Sequence, residues 1–480
     1  MTGGSAGRTL TCMSAPLADP VEHYDLLVLG SGEAGKYIAW AMATSGKKAA
    51  VIERRYIGGS CPNIACLPSK NFVHSAKVAH YASQAAQFRL PVATGPIDME
   101  VVRGRKRKMV DGLVQMHEGR FAQTGAELIL GTGTFTAPRT LHVLTNTGMT
   151  RMLTAETVVI STGSRAAIDP IPGLLEAQPL THIEMLETGQ VPPHLTILGG
   201  GYIGLEFAQA MRRLGSEVTV VERNPRLLHR EDEDVITTLT GVLSREGIEI
   251  LTSTSVERVT GRSGSSVTVH TSAGEITGTH ILVATGRTPN TDGIGLDLAG
   301  VTLGKDGHIQ VDEHLRTSAE NVFAVGDCAG SPHFTHIAFD DHRVVKSVLL
   351  GKSGSTPRST KDRQVPFCLF TDPEFAHIGL SESEAKRQGI SYRLAKLPML
   401  AVLRTRTMDE SEGFLKALIS TQDDSILGFT AVGVGSGEML AAVQLAMSAN
   451  LPYTALRDLI VTHPTLNEGL VYLFSSTPPR

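Results

Sequence analysis

Cysteine is scarce in this chain: five residues in 480, at Cys12, Cys61, Cys66, Cys328 and Cys368. A set so small and odd in number is no structural disulfide framework, so any disulfide it forms is read as catalytic or redox-sensing. Charge of one sign is also lacking. Lys and Arg total 44 against 48 Asp and Glu, a net of −4. The densest basic run, Arg103 to Lys108, reads as a solvated helix face, and no nucleic-acid partner is expected. No stretch approaches the ~18 apolar residues of a membrane helix. The opening MTGGSAGRTLTCMSAPLADP lacks the apolar centre of a signal peptide. Residues 1–23 are therefore expected to be a flexible leader, and the protein cytoplasmic with no membrane partner. With 41% hydrophobic residues, the length suits about two to four domains.

What is present begins with one signal written twice. YDLLVLGSGEAG carries an apolar run into Gly30-x-Gly32-x-x-Gly35, and the next strand-like run, AAVIE, ends at Glu53. LTILGGGYIG carries another into Gly199-x-Gly201-x-x-Gly204, and EVTVVE ends at Glu222. In both copies the acid stands 18 positions after the last glycine. The glycines allow a tight turn, backbone approach to a pyrophosphate and close helix packing; the helix N-terminus attracts the phosphates and the carboxylate takes ribose hydroxyls. A lone GxGxxG is weak evidence, but two in strand–turn–helix–strand context predict two dinucleotide sites. VVISTGSR and ILVATGRTPN resemble each other as strand ends of two nucleotide-binding halves. NVFAVGDC places Gly326 and Asp327 after a further apolar strand, where α/β sheets bind ligands, though from spacing alone Asp327 fits an ordinary turn aspartate equally well.

GGSCPNIACLPSK holds Cys61 and Cys66 five apart. A regular helix would separate them by at least ~7.5 Å, beyond the ~7 Å Cα limit of a disulfide. Cys61 must then lie at or before a helix start, or the first turn must be distorted. Gly58, Gly59 and Pro62 suit a helix start, whose N-terminus favours a thiolate. The spacing is not that of a zinc site and no second ligand pair accompanies it, so no metal is assigned. A structural crosslink fits the residue pattern less well than a working redox pair. Near the C-terminus, VTHPTLNEGL offers His463 and Glu468, which could serve as an acid–base pair, although a histidine before proline also fits a simple turn.

The motifs GSGEAG, GGSCPNIACLPSK, GGGYIGLE, ATGRTPN, VFAVGD and HPTLNE, in that order, resemble those of the flavoprotein disulfide reductases, the pyridine nucleotide-disulfide oxidoreductases. Dihydrolipoamide dehydrogenase, glutathione reductase and mercuric reductase belong to that family. The resemblance runs from about Tyr24 to Phe474. It implies an α/β fold with two Rossmann-like domains and a C-terminal α+β dimerisation domain. FAD would occupy the first site, with Glu33 and Ala34 in its loop, Glu53 on the ribose, Gly133 near the adenine, Thr162, Gly163 and Ser164 near the cofactor, and Gly326 and Asp327 at the ribityl chain. NAD(P)H would occupy the second, with Ile203, Val256 and Gly286 joining the glycines and Glu222. The resemblance further implies that Cys66 faces the flavin, Cys61 exchanges with substrate, and Lys70, paired with Glu206, lies near the flavin. Tyr202 would cover the nicotinamide pocket. His463, oriented by Glu468, would reach the partner subunit's cysteines in a homodimer.

The implied domains are 24–166 with 287–353 for FAD, 167–286 for NAD(P), and 363–480 for dimerisation; GKSGSTPRSTKD between them reads as a linker. Glu222 disfavours the 2′-phosphate of NADPH, while Arg223 and Arg226 could hold it or could equally be plain surface residues; both nucleotides are expected to work. The implied reaction carries electrons from NAD(P)H through FAD and the cysteine pair to a small disulfide or related acceptor. Alternatives are dihydrolipoamide dehydrogenase and a quinone or metal-ion reductase. A non-catalytic dinucleotide-binding sensor is disfavoured by the full set of Cys61, Cys66, Lys70, Glu206, His463 and Glu468. Ser475 and Ser476 stand near where mercuric reductases carry a cysteine pair, and Pro62 and Ala65 depart from the usual cysteine motif. Cys328 and Cys368 read as buried small side chains.

Overall fold

The computed structural model describes residues 21–92, 95–352 and 354–480. Strand Val21–Leu29 lies at the centre of a parallel sheet, with Ala49–Glu53 on one side and Thr150–Ile160 on the other. Glu127–Ala137 extends the sheet beside Ala49–Glu53, and Val322–Ala324 flanks Thr150–Ile160. Leu26, Leu27 and Val28 are wholly buried. Helices cover both faces of such a sheet, which explains the continuous apolar runs of its strands. Beyond Gly131 the Glu127–Ala137 strand turns to pair antiparallel with Thr140–Thr145, which pairs in turn with Thr150–Ile160.

The same plan recurs. His280–Val283, His194–Leu198, Glu217–Val221 and Glu249–Leu251 form a four-stranded parallel sheet. Val256–Arg262, Ser266–Thr271 and Gly274–Gly278 form its antiparallel companion. The chain leaves the first unit at Ser164–Ala166 and returns at Arg287–Pro289, and these two stretches pair as an antiparallel ribbon. The STGSR and ATGRTPN segments are thus the two strands of one hinge. A five-stranded antiparallel sheet follows, in the order Phe367–Leu369, Glu374–Gly379, Ile426–Gly433, Phe414–Ser420, Tyr392–Pro398. Helices Ser436–Ser448 and Glu468–Ser475 pack on it.

Several expectations need correction. Residues 21–23 are strand, not leader: they pair with Met152–Thr154. Residues 1–20, with Cys12, lie outside the described residues. The basic run on helix Met99–Thr124 is not simply solvated. Lys106 is buried against Glu187, Arg107 pairs with the same carboxylate at 2.6 Å, and Arg105 reaches Asn71 and Ser75 of the cysteine helix. Burial of one lysine on a polar run is set by the partner carboxylate, which lies 81 residues away. The 351–362 stretch, of which residue 353 is not described, is pinned by Thr360 N–H to the Glu313 carbonyl and Arg358 N–H to Ser347 Oγ. Cys328 is fully buried, but Cys368 is only partly so. Among the described residues, no helix is long and apolar enough to cross a membrane.

Candidate active site between two nucleotide loops

The first glycine loop is closed by its surroundings. A Cβ on Gly30, whose φ is +99°, would lie 2.4 Å from the Ser161 carbonyl oxygen. Gly59, φ +84°, packs so tightly that a Cβ there would lie 2.6 Å from Gly32 Cα. The segment before the cysteines therefore lies directly on the glycine loop. Glu53 accepts from Ser31 N–H at 2.9 Å, Ser31 Oγ at 2.7 Å, Arg55 N–H at 2.8 Å and Tyr56 N–H at 2.9 Å. Ser31 Oγ also accepts from Gly58 N–H at 2.9 Å. Buried Lys36 bridges Glu33 at 2.7 Å and the Gly58 carbonyl at 3.1 Å. Sequence reasoning missed Ser31 and Lys36, because one occupies a variable position of the glycine motif, the other follows its last glycine, and the partners of both are set by the fold.

The residues present fit an FAD. Helix Glu33–Thr44 begins at Gly32 without a side-chain cap, so its first N–H groups point free toward a phosphate. Thr162 Oγ1 is buried with no partner. Ser164 Oγ donates to Asp327, and Arg287 Nε donates to Ser164 Oγ at 2.7 Å. Asn290 Nδ2 donates to the Thr162 carbonyl at 2.9 Å and its N–H to the Gly163 carbonyl at 2.9 Å. Gly326 N–H donates to Asp341 Oδ2 at 2.8 Å. Asp341 is wholly buried, its carboxyl pushed up by burial although Arg363 pairs with it at 2.5 Å. It is another residue the sequence did not reveal. Gly133 faces inward, where a Cβ would meet Leu29 at 2.8 Å, so its lack of a side chain serves core packing.

The second loop is as tight at its first glycine, where a Cβ on Gly199 would lie 2.5 Å from the Ala284 carbonyl oxygen, but it is open at its second. A Cβ on Gly201 would meet nothing within 4 Å. Helix Tyr202–Leu214 starts there, again without a side-chain cap. Glu222 is buried and accepts from Gly200 N–H at 2.8 Å and from Asn224 N–H and Nδ2 at 2.8 and 2.6 Å. Its N–H and carbonyl bond to Leu251 and Thr254, which brings the start of strand Val256–Arg262 near. Arg223 is exposed, whereas Arg226 pairs with Glu233 at 2.5 Å. Ile203 is exposed beside the loop. Gly286 lies off the loop, at the hinge, where its carbonyl accepts from Ala167 N–H at 3.0 Å.

Between the loops stand the cysteines. Cys61 lies in a short turn, Ser60–Asn63, and Cys66 opens helix Cys66–Ser83. The helix breaks at Ala65, φ −130° and ψ −107°. Ile64 and Ala65 N–H both bond to the Ser60 carbonyl, and Asn63 Nδ2 ties back to the Ile57 and Gly59 carbonyls. That broken turn is how residues five apart bring their sulfurs within hydrogen-bond reach. Cys66 also meets Thr335 Oγ1 at 3.2 Å. The hydrogen bond from Cys61 holds the Cys66 thiol well below the usual range, with help from Thr335 and the Lys70 charge against the effect of burial. Cys61 keeps its proton and is pushed up. Lys70, one turn along, pairs with Glu206 at 2.7 Å, and Phe370 N–H donates to the same carboxylate at 2.9 Å. The cysteine helix and the second nucleotide helix run together there, with Phe72 against Phe207. His463 Nδ1 lies 3.0 Å from Glu468 Oε1, and Thr465 N–H donates to the other oxygen at 2.9 Å. The Thr465 N–H, then His463, hold the Glu468 carboxyl down. The imidazole is 63% exposed, and within one chain it does not join the cysteines.

Comparison with known proteins agrees with this geometry. Residues 24–341 match the family model described as pyridine nucleotide-disulphide oxidoreductase, and 365–474 match that family's dimerisation domain. The chain is 34% identical to the probable pyridine nucleotide-disulfide oxidoreductase RclA of Escherichia coli, over 94% of this chain and 99% of the relative. It is 32% identical to mercuric reductase of Staphylococcus aureus, over 93% and 81%. The solved HOCl-induced flavoprotein disulfide reductase RclA from Escherichia coli superposes with a TM-score of 0.86 at 33% identity, covering 94% of this chain and 99% of that one. Two Rossmann-like units joined by a ribbon hinge, a C-terminal α+β domain and these matches lead to one conclusion: the chain belongs to the pyridine nucleotide-disulphide oxidoreductases, enzymes that use FAD and NAD(P)H.

Proposed function

We propose that the protein moves electrons from NAD(P)H to a disulfide or related acceptor through the Cys61–Cys66 pair. The observation that carries this reading is the Cys66 sulfur at a helix N-terminus, 3.2 Å from Thr335 Oγ1, with the Lys70–Glu206 pair one turn on, between the two glycine loops. Residues 24–166 and 287–353 hold FAD, 167–286 hold the nicotinamide nucleotide, and 363–480 form the dimerisation domain. Bound there, FAD would supply the two-electron relay between the nicotinamide and the cysteine disulfide. Gly30, Gly32, Glu33, Ala34, Gly35 and Glu53 bind it at one end, and Thr162, Gly163, Ser164, Gly326 and Asp327 at the other. Gly199, Gly201, Ile203, Gly204, Glu222, Arg223, Val256 and Gly286 serve the nucleotide.

Reduction of the Cys61–Cys66 bond takes two electrons and one proton, leaving Cys66 a thiolate and Cys61 a thiol. Cys61 then loses its proton to His463, and its thiolate attacks one sulfur of the acceptor disulfide, breaking the acceptor S–S bond to give a mixed disulfide on Cys61; the first thiolate leaves and takes the proton back from His463. The Cys66 thiolate then attacks the Cys61 sulfur, restoring the Cys61–Cys66 bond and expelling the second thiolate, which takes a proton from solvent. Glu468 orients His463 for the transfer. Because His463 stands apart from its own cysteines, the reading requires a homodimer in which each chain completes its partner's site. A cytoplasmic location suits thiol exchange of this kind.

A metal ion is the second reading for the acceptor: the Escherichia coli relative has been solved as a Cu(II) complex. Anaerobic titration of the flavoprotein with NADH or NADPH tests the shared step. A long-wavelength absorption band at two electrons, lost in Cys66→Ser, supports the cysteine circuit; bleaching with no such band overturns it. Lipoamide, a small linear disulfide, a quinone, Cu(II) and Hg(II), offered in turn, sort the acceptors.

A further inference from the structure

Tyr202 opens the second nucleotide helix, and Glu206 stands four residues on, so both side chains share one helix face. Glu206 holds Lys70 of the cysteine helix at 2.7 Å. A ligand reaching from the open loop at Gly201 toward Cys66 runs along that face and meets the Tyr202 ring. The ring is stacked on Phe367 of the C-terminal domain, with centroids 5.5 Å apart and planes at 30°. Its hydroxyl donates to Glu231 Oε1 at 2.7 Å. Burial, then the adjacent Glu231 charge, pushes the phenol up, so it remains a donor.

Glu231 is itself held firmly, through its neighbour. Asp232 accepts from Glu382 N–H at 3.0 Å, Ser383 N–H at 3.0 Å, Ser383 Oγ at 2.6 Å and Lys416 Nζ at 2.9 Å. Lys416 is fully buried in strand Phe414–Ser420 and binds Asp234 at 2.9 Å and Glu382 at 3.2 Å as well. These bonds fasten the turn before helix Glu233–Arg245 to the C-terminal domain. A carboxylate next to such a clamp cannot follow Tyr202 if the ring swings away; the hydrogen bond between them must break.

We infer that Glu231 is a positioning residue for the nicotinamide nucleotide, a latch by which the C-terminal domain holds Tyr202 across the approach from the second glycine loop to the cysteines. The inference rests on the second loop taking NAD(P)H. Nucleotide binding displaces the ring from Glu231 and Phe367, so the latch sets how tightly nucleotide binds. The bond has the length of a strong hydrogen bond to a carboxylate.

The test is a set of dissociation constants for NAD+ and NADP+, ligands that do not turn over alone, measured by calorimetry on the FAD-loaded dimer. Glu231→Ala and Tyr202→Phe should each tighten binding about five- to tenfold, the scale of one hydrogen bond. The double variant should bind no tighter than either single one, because both remove the same bond. Glu231→Gln, which keeps the shape and removes the charge, should give a smaller gain in the same direction and serves if the alanine variant does not fold. Unchanged or weaker binding in Tyr202→Phe, or additive effects in the double variant, would overturn the latch while leaving the site assignment intact. Failure of the wild-type protein to bind either nucleotide would overturn the site assignment, and the latch with it.

Discussion

The two glycine loops have the same spacing and open the same kind of helix, yet their surroundings differ. At the first, Gly59 presses on Gly32, Ser31 joins Glu53 to Gly58, and Lys36 holds the Gly58 carbonyl. At the second, nothing lies within 4 Å of a Cβ on Gly201, and only Tyr202, bonded to Glu231, stands across the approach. A motif that binds pyrophosphate is thus built once into a closed site and once into an accessible one. Closure by the cysteine segment suits a group that stays bound; an open loop suits a ligand that exchanges each turnover. The difference lies in what packs on the motif and not in the motif itself.

Five variants sharpen that contrast. The largest effect is expected where the two halves meet. Cys66→Ser should lower NAD(P)H-dependent disulfide reduction by on the order of 10³-fold or more, because no thiolate remains to close the cycle; steady-state kinetics with a small disulfide measure it. His463→Gln should follow at about 10²- to 10⁴-fold, the usual worth of a positioned acid–base group, with the cysteine pair still reducible in a half-reaction. Retention of full turnover there would remove the histidine from the circuit.

Next come a tight glycine of the first loop and the open glycine of the second. Gly30→Ala forces a side chain onto the Ser161 carbonyl at a positive φ, with an expected loss of about 3 kcal/mol and of bound FAD. Gly201→Ala, at φ −89° with open space, should leave the melting temperature near wild type and raise KM for nucleotide about tenfold. Equal loss of FAD in both variants would erase the distinction. The smallest effect belongs to Arg223→Ala: with Arg226 engaged by Glu233, the free Arg223 is the group left for a 2′-phosphate. NADPH efficiency should fall about tenfold with little change for NADH; an equal fall for both would place Arg223 outside the site.

Much of this was legible because the motifs are local. The turn chemistry of Gly30 and Gly199, the acids Glu53 and Glu222, and the break near Cys61 follow from residues within a short span of chain. The pair Lys70–Glu206 came from resemblance, His463 and Glu468 stood near each other in the sequence already, and the structure brings each pair together. What stayed hidden has long sequence separation. Lys106 looked solvent-facing until Glu187 met it, Asp341 resembled any helix aspartate until it held Gly326, and Glu231 was one acid in the run ED-ED until Tyr202 reached it. Residues 21–23 were read as leader because their polar, exposed pattern gave no strand signal; pairing with Met152–Thr154 made them one.

By itself, then, the sequence determined the chemistry available to this protein: two dinucleotide loops, a cysteine pair that cannot sit in one unbroken helix, and a histidine with its carboxylate. Backbone conformation and spacing are short-range properties, and short-range properties are written locally. Tertiary structure alone decided which loop is closed and which is open, which thiol is the acidic one, and which buried charges have partners. Those outcomes depend on desolvation and on contacts between residues tens to hundreds of positions apart, and no local pattern encodes them.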